Sequence, residues 1–147
     1  GMRGHRGMTT QTHDSMWKWM AAAVLAHLMT AIVHGAAHNG AQIPLSLMAT
    51  LFVFIVILAG PLAGLAVSWW AERVGSLIIA VTLAGSLVFG VVNHFVLDSP
   101  DHISHVATQW SRLFATTAIL LTITEMLGLG LAMRVAIRAR RFPRSSN

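Results

Sequence analysis

WMAAAVLAHLMTAIVHGAAHNGAQIPLSLMATLFVFIVILAGPLAGLAVSWWA, residues Trp19–Ala71, contains no aspartate, glutamate, lysine or arginine. About 20 apolar residues in a helix cross the hydrocarbon of a bilayer, so this stretch suffices for two crossings with a turn between them. The turn is written near its centre: Asn39-Gly40 is a helix stop, and Pro44 suits the first turn of the next helix. A second uncharged run separates Arg73 from Asp98, and a third apolar run follows Ala107. The chain therefore reads as an all-α integral membrane protein, an antiparallel bundle of four transmembrane helices. Their expected spans are about 15–38, 44–71, 74–97 and 107–138. Asp98-Ser99-Pro100-Asp101 ends the third, and the short loop beyond it has room for a helical turn. Pro61, inside the second, implies a kink or local break.

Composition agrees. Of 147 residues 55% are hydrophobic and 10% charged, whereas a soluble domain carries about 25% charged residues. One transmembrane domain, residues 16–138, is flanked by a polar N-terminal tail (1–15) and a basic tail (139–147). Gly1 before Met2 reads as an expression remnant, and residues 1–15 as mobile. Gly35-Ala36-Ala37 resembles a small-residue cleavage site, but the first segment is read as a retained span. With no cysteine, disulfides, thiolate metal sites and thiol catalysis are excluded. The net charge of +5 does not indicate nucleic acid, because the basic residues sit at helix ends.

Those basic residues set an expected orientation. Arg3, Arg6, Lys18, Arg73, Arg134, Arg138, Arg140, Arg141 and Arg144 share one side of a four-span bundle, and only Arg112 lies on the other. The positive-inside rule then places both termini in the cytoplasm, as for a bacterial inner membrane. Trp17, Trp19, Trp69 and Trp70 mark the inner interface and Trp110 the outer one. Gly60 and Gly64 form a GxxxG packing pair, and Ser86 and Gly90 a weaker one.

Against this background the polar residues stand out. His27, His34 and His38 are spaced by seven and four, within about 40° of one another on one helical stripe. Such a stripe faces the bundle interior rather than lipid. From the rise of about 1.5 Å per residue, His34 lies about 10 Å and His38 about 16 Å outward of His27 at mid-span. His94 lies about 12 Å outward of Ser86, the centre of the third span, so His34 and His94 come out nearly level. Asp98, Asp101, His102 and His105 follow in the adjoining loop.

Two cofactor readings follow from this outer layer. His34, His38, His94, His102, His105, Asp98 and Asp101 supply imidazole and carboxylate for a transition-metal ion such as zinc, copper, nickel or iron. Alternatively His34 and His94 are the axial pair of a b-type haem, with Arg112 on a propionate. The number of outer histidines favours the metal. A bland alternative is that interfacial histidines bond backbone carbonyls, water and loop carboxylates.

Glu125 sits near mid-span on the fourth helix, level with His27. A carboxyl there is protonated, paired or hydrated. The pair reads as a proton relay or as support for the ligands above. Its structural alternative is an interhelical hydrogen bond with Thr116, Thr117, Thr122 or Thr124. The methionines, Met16, Met20, Met29 and Met48 among them, read as packing rather than copper ligands. His5 and His13 belong to the tail.

The leading function is thus a small membrane protein holding a metal or haem, with a redox or metal-handling role. Alternatives are an accessory subunit of a larger membrane complex, or a small proton or metal transporter using Glu125 and His27. Expected partners are the lipid bilayer and a homo-oligomer or larger complex, with no nucleic acid. No serine–histidine hydrolase pattern, phosphate-binding glycine loop or HExxH names a reaction.

Overall fold

The computed structural model describes the backbone of residues 5–141 and the side chains of 15–140, Thr108 excepted. Helix α1 runs His5–Gly40 and α4 runs Thr108–Arg141. Between them, α2 covers Leu47–Ser68 and α3 covers Glu72–Val96. All four are long and apolar enough to cross a membrane, with Ser15–Gly40 as the apolar part of α1. Their surfaces agree, since Leu47, Met48, Val81 and Val88 are among many large apolar side chains left exposed. In water such a surface would be a liability; in hydrocarbon it costs nothing.

Neither middle helix is a uniform α-helix. In α2 a π-helical stretch, Val53–Ala59, separates Leu47–Phe52 from Gly60–Ser68, and α3 ends in a π-helical turn, Val92–Val96. The break in α2 meets the expectation at Pro61, which falls at the start of Gly60–Ser68. Pro61 has no N–H, so it can donate neither to Ile57 O, four residues back, nor to Val56 O, its partner in the π register of Val53–Ala59. His27 Nε2 of α1 donates to the Ile57 carbonyl at 3.1 Å.

The first turn differs from the sequence reading. Helix α1 passes through Asn39-Gly40, and Gln42 adopts the left-handed conformation, φ 54°. Gln42 N–H donates to Asn39 O at 3.1 Å and Ile43 N–H to His38 O at 3.1 Å, the bond pair of a Schellman cap. Gly40 serves packing instead: a Cβ there would fall 2.4 Å from the Trp110 ring. Helix α2 starts at Leu47 rather than Pro44, because Ser46 caps it by accepting from Ala49 N–H at 3.1 Å. The loop after α3 holds turns between Pro100 and His105 and no helical turn.

In space the helices pack in the order α2, α3, α4, α1, and α1 meets α2 only lightly. Helices α2 and α3 approach backbone to backbone, where a Cβ on Gly75 would lie 2.4 Å from Gly64 O and 2.3 Å from Ser68 N. The glycine pair of α2 is therefore spent inside the bundle. Met20, Val24, Leu28, Ile79, Leu83 and Val135 close the core toward the chain-terminal end. At the opposite end, which carries the loops 41–46 and 97–107, a second core of Ala37, Val106 and Phe114 sits beneath the histidines.

Candidate metal centre

The sequence stripe on α1 turns inward as a helix of this period requires: His27 is fully buried, and His34 and His38 nearly so. The π-helical turn of α3 brings buried His94 to the same level. One ring nitrogen from each of His34, His38 and His94 lies within 4.8 Å of the others, so the three could hold a metal ion. Phe114 forms the floor, its ring centroid 4.7, 4.9 and 5.3 Å from those of His34, His38 and His94.

Hydrogen bonds around the triad orient its rings. Thr117 Oγ1 lies 2.7 Å from Leu113 O and 2.8 Å from His34 Nδ1. With the hydroxyl proton on Leu113 O, its oxygen accepts from His34 Nδ1–H and His34 Nε2 is bare; with that proton on His34 Nδ1, His34 Nε2 carries the hydrogen. His94 Nδ1–H donates to the backbone oxygen of Asp101 at 3.1 Å, with Asp101 Oδ1 at 3.3 Å, so His94 Nε2 is bare. The two Nε2 atoms lie 3.2 Å apart. In one His34 tautomer Nε2–H donates to His94 Nε2; in the other both are acceptors, and a cation or a shared proton between them accounts for the approach. Two nitrogens about 2.05 Å from one tetrahedral ion lie about 3.3 Å apart.

Asp101 borders the group. Its Oδ1 lies 3.0 Å from His38 Nε2, but neither that approach nor the one from His94 aligns as a hydrogen bond. Asp101 Oδ1 and His38 Nδ1 are thus buried polar atoms without a hydrogen-bond partner. A lone buried polar atom costs about 1–3 kcal/mol, and coordination through Nδ1 would remove that cost for His38. Burial pushes the Asp101 carboxyl up, yet the contacts and charges of His38 and His94 outweigh it and hold it below the usual carboxylate range. The loop is held in place by Ile103 N–H, which donates to His94 O at 3.1 Å.

The remaining outer-layer candidates lie apart on the loop rim. His105 Nδ1 donates to Ser99 O at 2.8 Å, with Nε2 3.4 Å from the exposed Asp98, and His102 bonds Ser104 at 2.7 Å. Arg112 is exposed. The haem geometry meets a steric objection: with the Nε2 atoms at 3.2 Å and the rings 72° apart, no macrocycle passes between His34 and His94.

Comparison with protein-family models, curated proteins and solved structures returns no match.

At mid-span, Glu125 accepts a hydrogen bond from Ser86 Oγ. Ser86, read from sequence as a packing residue, is therefore the missed partner. Thr117, Thr122 and Thr124 bond carbonyls of their own helix instead. His27 Nδ1 is 3.7 Å from Glu125 Oε1, near but not bonded. A cavity of about 500 Å³ joins the two layers, lined at one end by His34, His38, His94 and Asp101 and at the other by Ser86 and Glu125.

Proposed function

We propose that this chain is a membrane-embedded metal protein whose His34, His38 and His94 bind one divalent transition-metal ion, with Asp101 held against His38 and His94 as their charged partner. The observation that carries it is the convergence of one ring nitrogen from each of His34, His38 and His94 to within 4.8 Å, with the Nε2 atoms of His34 and His94 3.2 Å apart. Both Nε2 atoms are aimed by partners on the far side of the ring, the arrangement that orients metal-bound histidines generally. Three imidazoles, with a carboxylate orienting them, suit zinc, copper, nickel or iron. The excess of basic residues at the opposite end of the bundle supports an ion site on the outer face of a plasma membrane. Cavity access to the triad supports an ion that retains an exchangeable position, as handling or catalytic sites do, rather than a closed structural one.

A transporter reading has one point in its favour, the cavity reaching Glu125 beside His27. Beyond Glu125, however, Met20, Val24, Leu28, Ile79 and Leu83 fill the interior, which supports a binding site over a through-path.

The test is elemental analysis with an absorption spectrum of protein purified in detergent and reconstituted with zinc. About one equivalent should be retained, lost in His34→Ala and His94→Ala and kept in His102→Ala and His105→Ala. A haem Soret band, a metal-free protein after reconstitution, or equal loss in the loop variants overturns the reading.

A further inference from the structure

The cavity is larger than an ion and its water require. Its volume of about 500 Å³ lies in the range of roughly 300–1,000 Å³ typical of small-molecule sites. Its wall between the histidines and mid-span is apolar, formed by Phe54, Ile57, Leu58, Phe89 and Leu121. At the far end the Glu125 carboxyl is engaged by Ser86.

The cavity also has a side opening. Helices α1 and α2 meet only lightly, and the flanking cavity residues Ile32 and Phe54 are each 61% exposed. Gly35 lies on the same rim, and a Cβ built on it meets no atom within 4 Å. All three sit inside spans apolar enough to cross a membrane. What reaches such a gap is a molecule dissolved in the hydrocarbon.

The charge at the histidine end limits the other half of that molecule. Three neutral imidazoles, one ionised Asp101 and a divalent ion leave one net positive charge, facing the cavity. A single anionic oxygen balances it, and water-excluded surroundings make that attraction strong.

We propose that the cavity binds a single-chain lipophilic acid, entering sideways between α1 and α2 past Gly35, with its carboxylate at the metal and its chain along Phe54, Ile57 and Leu58. This rests on the metal reading for the seating of the acid group. The shape follows from the walls, since a chain fits a long apolar chamber with one charged end.

The probe is dodecanoic acid carrying a mid-chain diazirine, photolysed with the zinc-loaded full-length protein in detergent and mapped by peptide mass spectrometry. Label should concentrate on Phe54–Leu58 and fall about tenfold with excess unlabelled dodecanoate. It should fall similarly in Gly35→Trp, which blocks the gap, and stay unchanged in Gly35→Ala, which strengthens the helix without filling the opening. Removing zinc from the wild-type protein should also release it. Zinc content, measured on every sample, separates failures: protein that never holds zinc defeats the metal reading and this proposal with it. With zinc bound in all samples, label spread over the exposed helix faces, indifferent to dodecanoate or to Gly35→Trp, overturns the lipophilic-acid site alone. Cavity labelling that is equal with and without zinc overturns the seating of the carboxylate on the metal.

Discussion

The chemistry of the site turns on a hydroxyl. Serine and threonine in membrane helices commonly bond the carbonyl three or four residues back, and Thr117, Thr122 and Thr124 all do so. For Thr117 that bond has a second effect, because with its proton on Leu113 O the oxygen accepts from His34 Nδ1–H, the tautomer that leaves Nε2 for a metal. Valine has nearly the same shape and no acceptor. Thr117→Val should therefore weaken zinc binding by about 10–100-fold, the usual effect of losing such a ligand-orienting partner. Thr117→Ser should restore most of the affinity. Competition with a chromogenic chelator measures it, and a Thr117→Val protein with wild-type affinity and wild-type helix content would show that the hydroxyl does not orient the ring. The four-residue spacing of His34 and His38 and their level with His94 were legible from helical rise alone. The roles of Thr117 and Ser86 were not, since a hydroxyl satisfied within its own helix looks the same whether or not it also meets another residue.

At the scale of the helix, the informative departures are the two π-helical stretches. A π-turn accommodates an extra residue and redirects the side chains around it, and such turns concentrate at functional sites. In α3 the turn carries His94; in α2 it adjoins Pro61 and lines the cavity. A break at Pro61 was predictable from its missing N–H, but its beneficiary was not. The Ile57 carbonyl, to which Pro61 cannot donate, is the acceptor for His27, a residue 30 positions earlier in the chain. This makes His27 first a structural donor, satisfying a backbone carbonyl where the π-helical and α-helical stretches meet. His27→Leu should cost about 1–3 kcal/mol for the stranded carbonyl. In a Pro61→Ala background, where residue 61 again offers an N–H, the same change should cost less. Thermal unfolding in detergent across the four proteins should give a coupling of about 0.5–3 kcal/mol. Strict additivity would mean that the proline and the histidine are unrelated. The helix ends teach a similar lesson. Asn39-Gly40 is a good local stop, yet Trp110 claims Gly40 for packing and the left-handed turn moves to Gln42.

For the molecule as a whole, asymmetry along the bundle axis decides how the parts work together. One end is closed by an apolar core, with Trp19, Trp69 and Trp70 exposed around it; the other carries the histidines, Asp101 and the cavity. Among the described residues, Lys18, Arg73, Arg134, Arg138 and Arg140 belong to the closed end, and Arg112 is the one lysine or arginine at the histidine end. A site that exchanges an ion with the cell exterior needs the second end outward, and the charge asymmetry favours that insertion. Because the chain has no cysteine, a single introduced thiol reports its side without background. Ser104→Cys lies on the exposed loop beside the histidines, and Ser15→Cys at the exposed start of the apolar part of α1. A membrane-impermeant maleimide added to intact expressing cells should label Ser104→Cys and spare Ser15→Cys until the cells are lysed. The reverse pattern would place the metal site in the cytoplasm, where it would draw on a different pool of ions. Labelling of both in intact cells would mean that the chain inserts in two orientations, so that neither face alone supplies the site.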